Sequence, residues 1–417
     1  MLALIASSLV SSCAFPGANQ SARLTPSLAL SPSPSGTPPS SLSTEQSSPV
    51  SPTAPFSTIQ QQCLEQRSGI PPDANLQGAV ILQPAPGRDG PPVMLKMREP
   101  NGTPSSLDAD FTWSPIVSPT AEWLAWMSLR GPSGAVWLMN GEGKARLVFD
   151  GPDDWYGLLS WLNEGEIVVG REGTFSELDP VLPPQVFLDP FQERTRQVSR
   201  AFPELDPYPE TDHVWPTSTV FHPTLPLVAY IAFGSRQSLD IRLWDFSISA
   251  ELGRLGPFVY GWDPPKWSPN GQMLIVENRL DHLADTRQEQ DDFFAISPSG
   301  SATRLTHFAD EFPVFSLGPF QWSPNGKTIA FLYRATQLGG PKSLAILDPI
   351  SLTTVDLCID ADYEPNSIVW SPSSRQLLVK QSDNGRENSR VVLVDLDEQY
   401  AAPIASGFEL IGWLISP

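Results

Sequence analysis

Histidine and cysteine are scarce in this chain of 417 residues, which holds four of the first and three of the second. His213, His222, His282 and His307 show no ligand spacing, and there is no His-Glu-x-x-His, no Gly-x-Ser-x-Gly and no Gly-rich phosphate loop. The common zinc-protease, serine-hydrolase and nucleotide-binding signatures are thereby excluded. Asp281, Asp285, Asp291 and Asp292 lack the Asp-x-Asp-x-Asp-Gly frame of a calcium loop, so no metal and no cofactor is expected. Apolar runs are short as well, and none reaches the ~18–20 residues a helix needs to span a bilayer. Positive charge is the remaining shortage: 26 Lys and Arg against 46 Asp and Glu leave a net charge of −20. Residues 1–60 carry only Arg23 and Glu45, so the whole excess sits on 61–417. A surface this acidic repels nucleic acid and anionic headgroups, and suits solubility, metal ions or cationic partners.

What the first 58 residues do contain is ordered. An apolar run from Leu2 to Val10 leads into Val10-Ser11-Ser12-Cys13. This resembles a bacterial lipobox, which implies an export signal over 1–13 and lipidation of Cys13. No Lys or Arg precedes Arg23, a departure from the usual basic start. Residues 14–58 are dominated by Ser, Pro, Thr and Ala, a composition that stays extended and serves as a tether. The segment 59–77 is short, and residues 59–67, with Cys63, are expected to form a short helix.

From 78 onward the chain repeats itself. Trp267-Ser268-Pro269-Asn270-Gly271 precedes Met273-Leu274-Ile275-Val276, and Trp322-Ser323-Pro324-Asn325-Gly326 precedes Ile329-Ala330-Phe331-Leu332. Trp370-Ser371-Pro372-Ser373-Ser374 precedes Leu377-Leu378-Val379. Each copy reads as a strand ending in an aromatic, a tight turn and a returning strand, because Pro fixes φ and Asn-Gly accepts positive φ. Aromatics in that role fall at Trp113, Trp161, Phe221, Trp267, Trp322, Trp370 and Trp413, spaced by 48, 60, 46, 55, 48 and 43 residues. That period matches propeller blades of four strands each. The final strand, with Leu410 and Trp413, stands alone, and 79–107 has room for three strands without a leading aromatic. Joined, the two ends make a seventh blade and leave no open edge. The expected fold is therefore all-β, a β-propeller of seven four-stranded antiparallel blades over 78–417, with six blades as the alternative.

The Trp-Ser-Pro-Asn-Gly hairpin resembles the WD40-like, or TolB-like, propeller repeat, whose usual form is aromatic-Ser-Pro-Asp-Gly before an apolar strand. Three copies match well. Trp113-Ser114-Pro115 and Phe221-His222-Pro223 are partial, and Trp161-Leu162-Asn163-Glu164-Gly165 keeps only the aromatic and the Gly. The resemblance implies the fold and leaves the function open, since this repeat serves many roles.

In a four-stranded blade, the first and third connections share one face of the disc, and the second connections and interblade links share the other. The long segments 172–184, 200–216, 256–266, 279–292 and 307–318 all belong to the second set. The candidate binding face is accordingly Asp206, Tyr208, Glu210, Asp212, His213 and Trp215, with Tyr260, Trp262 and Asp263, and Asp310, Glu311 and Phe312. Aromatics with carboxylates on loops over a rigid frame suit sugars, basic peptides or cations. Strand-end Trp residues are expected to pack between blades. Alternation of Val355, Leu357 and Ile359 with Asp356, Cys358 and Asp360 places Cys358 on the polar side of an outer strand, where a disulfide to Cys63 is one option and two free thiols the other. The expected function is non-catalytic binding of a protein, peptide or carbohydrate by a monomer lipid-anchored outside the cytoplasm. The alternatives are a propeller enzyme, a lactonase-type hydrolase or lyase with carboxylates at the channel mouth, and a pure assembly scaffold.

Overall fold

The computed structural model describes residues 59–415, except 100–102, 112, 129–134, 151–156, 172–184, 193, 198–212, 234–238, 261–263, 280–290, 336–341, 363, 365 and 383–388. These residues build seven four-stranded, almost entirely antiparallel blades, with a single short helix, Phe308–Glu311. Blade 1 is Trp113–Val117, Trp123–Ser128, Ala135–Asn140 and Ala145–Phe149, and blade 2 is Gly157–Asn163, Glu166–Arg171, Gln185–Asp189 and Arg194–Gln197. Blade 3 is His213–Phe221, Leu227–Phe233, Leu239–Asp245 and Ala250–Tyr260, and blade 4 is Lys266–Trp267, Leu274–Arg279, Asp291–Ile296 and Ala302–Arg304. Blade 5 is Ser316–Trp322, Ile329–Arg334, Ser343–Asp348 and Thr353–Asp360, and blade 6 is Ile368–Trp370, Gln376–Ser382, Ser389–Asp395 and Tyr400–Ser406. The last blade closes the ring: Phe408–Leu414 pairs antiparallel with Ala79–Pro84, with Ala79 opposite Leu414, and Val93–Lys96 and Ser105–Ser106 follow outward.

The core confirms the closure independently of the hydrogen bonds. Among the described residues seven apolar clusters occur, and each lies between two neighbouring blades. The cluster of Ala79, Ile81 and Met94 with Leu124 and Trp126 joins the closing blade to blade 1 in the same manner as Phe293, Phe320 and Phe331 join blades 4 and 5. A fully buried Phe331 contributes about 1.5–3 kcal/mol, and only a neighbouring blade can cover it.

The repeated turns follow from their sequence. Ser268, Ser323 and Ser371 each accept, through the hydroxyl, the backbone N–H five residues later. Gly271, Gly326 and Ser374 take positive φ and return their N–H to the serine carbonyl. Blade 1 corrects the expected register. Its turn is Ser118-Pro119-Thr120-Ala121, with Trp123 N–H on the Ser118 hydroxyl and Ala121 at φ 60°. The position equivalent to the strand-end aromatic is thus Val117, and Trp113 opens its strand.

Two further expectations are corrected. Residues 59–67 form no helix: Gln60–Gln61 lies parallel to the outer strand of blade 5 and Glu65–Gln66 parallel to the outer strand of blade 6. Both pairs are solvent-exposed, so the backbone ladder and not apolar periodicity decides their structure. The alternation through Cys358 also fails. A two-residue step from Ser343 to Ala345 faces a four-residue step from Asp356 to Asp360, and Cys358 takes φ 56°. In this bulge Asp356 and Leu357 are both buried, and Asp356 accepts from Tyr333 Oη and from Cys358 N–H. Cys63 and Cys358 form a disulfide, with Cα atoms 4.8 Å apart across 295 residues.

Candidate functional site

The two faces differ in how much chain they carry. In blades 1 to 6 the first and third connections run from two to six residues, whereas the interblade link before His213 takes fifteen. Of the expected binding face, Asp206, Tyr208, Glu210, Asp212, Trp262 and Asp263 lie outside the described residues. His213, Trp215 and Tyr260 are strand residues: His213 and Trp215 open the inner strand of blade 3, and Tyr260 ends its outer strand, pairing with Asn278 of blade 4. Asp310, Glu311 and Phe312 lie in the link between blades 4 and 5, in and just after the short helix.

That link is anchored from below by charge. Asp292, fully buried, accepts from Arg304 Nε and Nη2, Thr306 Oγ1 and Phe308 N–H. Arg304 also reaches Asp310 at 3.1 Å, and Asp310 takes a second contact from His307 Nδ1 at 3.1 Å. These partners help hold the Asp310 carboxyl below its usual range despite the opposing effect of desolvation. Phe312 turns inward onto Phe315, ring centres 5.2 Å apart. Glu311 has its pKa raised by partial burial. Asp310 and Phe312 therefore brace the link, and Glu311 is the member of the trio without such a brace among the described contacts.

A second charged group sits on the same face. Lys380 Nζ, buried near the end of the second strand of blade 6, lies 2.7 Å from Glu364 and 3.1 Å from Glu409. Glu364 belongs to the link leaving blade 5, and Glu409 begins the inner strand of the closing blade. Among the described residues no group of three or more His, Cys, Asp or Glu could hold a metal ion.

The opposite, short-turn face holds a feature that loop length did not signal. A cavity of about 870 Å3 opens at blade 6, between the segment 67–78 and the turns at 371–376 and 395–400. Its floor is a polar chain. Ser373 Oγ donates to Gln376 Oε1, Gln376 Nε2 donates to Asp395 Oδ2, and Asp395 Oδ1 caps the N–H groups of Asp397 and Glu398. Tyr400 is 1% exposed and lies under the Arg67 guanidinium, 4.6 Å from the ring centre. Its pKa is raised to about 12, by burial first and by the Asp395 charge next. Tyr400 and Arg67 stand 333 positions apart, and only the unexpected strand Glu65–Gln66 brings them together, so no pattern in the sequence pointed to them.

No protein-family model matches the sequence and no curated protein matches it. Solved structures do match. An oligogalacturonate lyase in complex with manganese superposes with a TM-score of 0.51 at 12% identity, over 82% of this chain and 86% of that one. An oligogalacturonate lyase from Vibrio parahaemolyticus gives 0.50 at 10% identity, over 79% and 87%. TolB from Acinetobacter baumannii gives 0.43 at 13% identity, over 81% and 82%. At these identities the likeness concerns the fold alone.

Proposed function

We propose that this chain is an extracytoplasmic, lipid-anchored binding module, in which Cys13 carries the lipid, residues 14–58 are the tether and the propeller holds a protein, peptide or carbohydrate ligand on its long-segment face without catalysis. The observation that carries the binding reading is the distribution of chain over the disc: in blades 1 to 6 the first and third connections keep to two to six residues, and the longer connections join the other ends of the strands. The disulfide between Cys63 and Cys358 supports the compartment, since such bonds persist where the surroundings are oxidising. No helix of the described residues is long and apolar enough to cross a membrane, so attachment in this reading rests on the lipid.

The test is affinity capture from membranes with two versions of the full chain, one native and one with residues 200–212 replaced by a Gly/Ser linker of equal length. The segment 307–318 is left intact, because Phe308, Phe315 and Leu317 belong to the core. Loss of specific partners from the second version supports the reading, and identical recovery from both removes it. Cys13→Ala, followed by fractionation and intact mass, reads the anchor separately.

A further inference from the structure

Among the described residues, seven other than glycine take positive φ, and six of them sit in connections between strands. The seventh, Cys358 at φ 56°, lies inside a strand, at the bulge that carries the disulfide to Cys63. Backbone held outside its preferred region persists only where its surroundings fix it, and such positions gather at switches. Asp356 does the fixing here: its carboxylate accepts Cys358 N–H at 2.8 Å and Tyr333 Oη at 2.9 Å. The bridge is within reach of solvent, since Cys63 is exposed and the half-buried Cys358 lines a cavity of about 320 Å3 with Gln66, Asp360 and Arg390. We propose that the bridge is a redox-operated latch: a dithiol reductant opens it in the folded chain, and opening releases residues 59–67 from the rims of blades 5 and 6 while the ring stays closed.

Three features select a latch over a passive staple. The held segment has little else to hold it: of residues 59–67 only Leu64 is buried, and both short strands are exposed. Ordering such a segment costs more conformational entropy than its exposed backbone bonds return, so the covalent bond supplies the difference. The release also has a defined limit. Ser68 and Gly69 are exposed, and beyond them Ile70, Ala74 and Leu76 pack into the core beside Val80. Finally, the receiving half stays set, because the contacts of Asp356 belong to blade 5 and do not involve Cys63. The Cys358 thiol is thus kept in place for reclosure.

In the opening step one thiolate of the dithiol attacks Sγ of Cys63, the S–S bond breaks, and Cys358 leaves as a thiolate that takes a proton. The second thiol of the reductant then displaces Cys63 from the mixed disulfide, and Cys63 leaves as a thiol. Two electrons and two protons pass to the cysteines, and the dithiol ends as a disulfide. Opening uncovers the backbone edges at Val355–Asp356 and Tyr400–Ala401 and lifts Arg67 off the Tyr400 ring. In the anchored reading of the chain it also adds residues 59–67 to the tether, about 30 Å when extended, and this consequence alone rests on that reading.

The experiment treats the full chain with dithiothreitol at pH 7.5 without denaturant, alkylates it, and assigns the modified cysteines by peptide mass, with hydrogen exchange read on the same samples. Expected is alkylation of Cys63 and Cys358 only after reduction. The amides of Gln62, Leu64, Glu65 and Arg67, bonded to carbonyls of blades 5 and 6 in the closed state, should then exchange about 10-fold faster or more. Those of Ala79–Pro84 and Phe408–Leu414 should keep their protection. Oxidised glutathione should restore both the bond and the slow exchange, and Cys358→Ser should show the fast exchange without reductant. A bridge that resists reduction until the ring unfolds, unchanged exchange of the strap amides once both thiols are free, loss of protection in the closing blade, or failure to reclose each overturns the proposal. None of these readouts involves a ligand or the lipid, so failure of the binding or anchor reading leaves the result standing.

Discussion

His222 Nε2 lies 2.8 Å from the carbonyl oxygen of Gly271, one blade further round the ring. Its other nitrogen, Nδ1, accepts the N–H groups of Thr224 and Leu225 at 3.1 and 2.9 Å. Two donors on Nδ1 fix Nε2 as the protonated atom, so the ring is neutral and caps its own turn as serine does in the other repeats. A histidine in place of that serine thus reaches a neighbour that a hydroxyl cannot.

Burial lowers the His222 pKa from 6.5, and the bond to Gly271 offsets only part of that. The unfolded chain therefore binds the proton first, and stability is complete above the unfolded pKa and declines as pH falls below it. The melting temperature of the native chain should drop between pH 7.5 and 5.5. His222→Ser should flatten that slope while lowering the plateau through loss of the Gly271 contact. A slope unchanged by the substitution would assign the pH dependence to another group.

The strand-end indoles make the same kind of joint. Trp267 Nε1 donates to Val220 O, Trp322 to Lys266 O and Trp370 to Gln321 O, each acceptor being the residue before the equivalent aromatic in the preceding blade. Trp322→Phe keeps an aromatic in the slot and removes the donor, leaving the Lys266 carbonyl without it. A loss of about 1–2 kcal/mol in denaturant unfolding is expected, more than the pair itself is worth because a partner is left unmade. Phe221 occupies the equivalent site in blade 3 and has no such donor, so Phe221→Trp is the complementary change and should gain or hold stability if the slot admits the larger ring.

What could be read from residues and what could not divide along a physical line. The Ser-Pro-Asn-Gly turns are local chemistry, so they declared themselves, and the lone strand around Trp413 announced the closure. Blade 1 misled because Trp113-Ser114-Pro115 imitates the repeat, while the working turn begins at Ser118 after an unremarkable Val117. The strands Gln60–Gln61 and Glu65–Gln66 have no apolar side to show, and their partners lie about 300 residues away. The bulge at Cys358 broke an alternation that the sequence alone displayed without fault. Long-range pairing and the floor of the short-turn cavity left no periodic trace.

The disulfide between Cys63 and Cys358 pins those exposed strands to blades 5 and 6. Opening it should cost about 2–5 kcal/mol, as for native bridges that close long loops. The ring is expected to survive, since the pairing of Ala79 with Leu414 lies beyond the bridge. Cys63→Ser should therefore lower the melting temperature and speed trypsin cleavage after Arg67, with little change in far-ultraviolet circular dichroism. Alkylation of both thiols in unreduced native protein would show that the bond is not formed in the folded chain.

Lys380 offers the sharpest test of buried charge. Burial by itself would pull its pKa down, but the hydrogen bonds it donates to Glu364 and Glu409 outweigh that and the net shift is upward. The Lys380 side chain is 6% exposed, and those of Glu364 and Glu409 are 35% and 29% exposed. Lys380→Met keeps the stem and removes the charge, leaving two carboxylates facing each other across the position of the lost cation. Removing one partner of a fully buried pair costs about 3–5 kcal/mol, and the exposure of both glutamates cuts this to about 1–3 kcal/mol here. The loss should shrink as pH falls from 7 toward 4, because the variant's glutamates, deprived of their cation, take up protons and stop repelling. Lys380→Met with Glu364→Gln should recover part of the loss at pH 7. A pH-independent deficit in the single variant, unrelieved in the double, would mean that packing of the lysine stem, and not its charge, holds the closing blade to its neighbour.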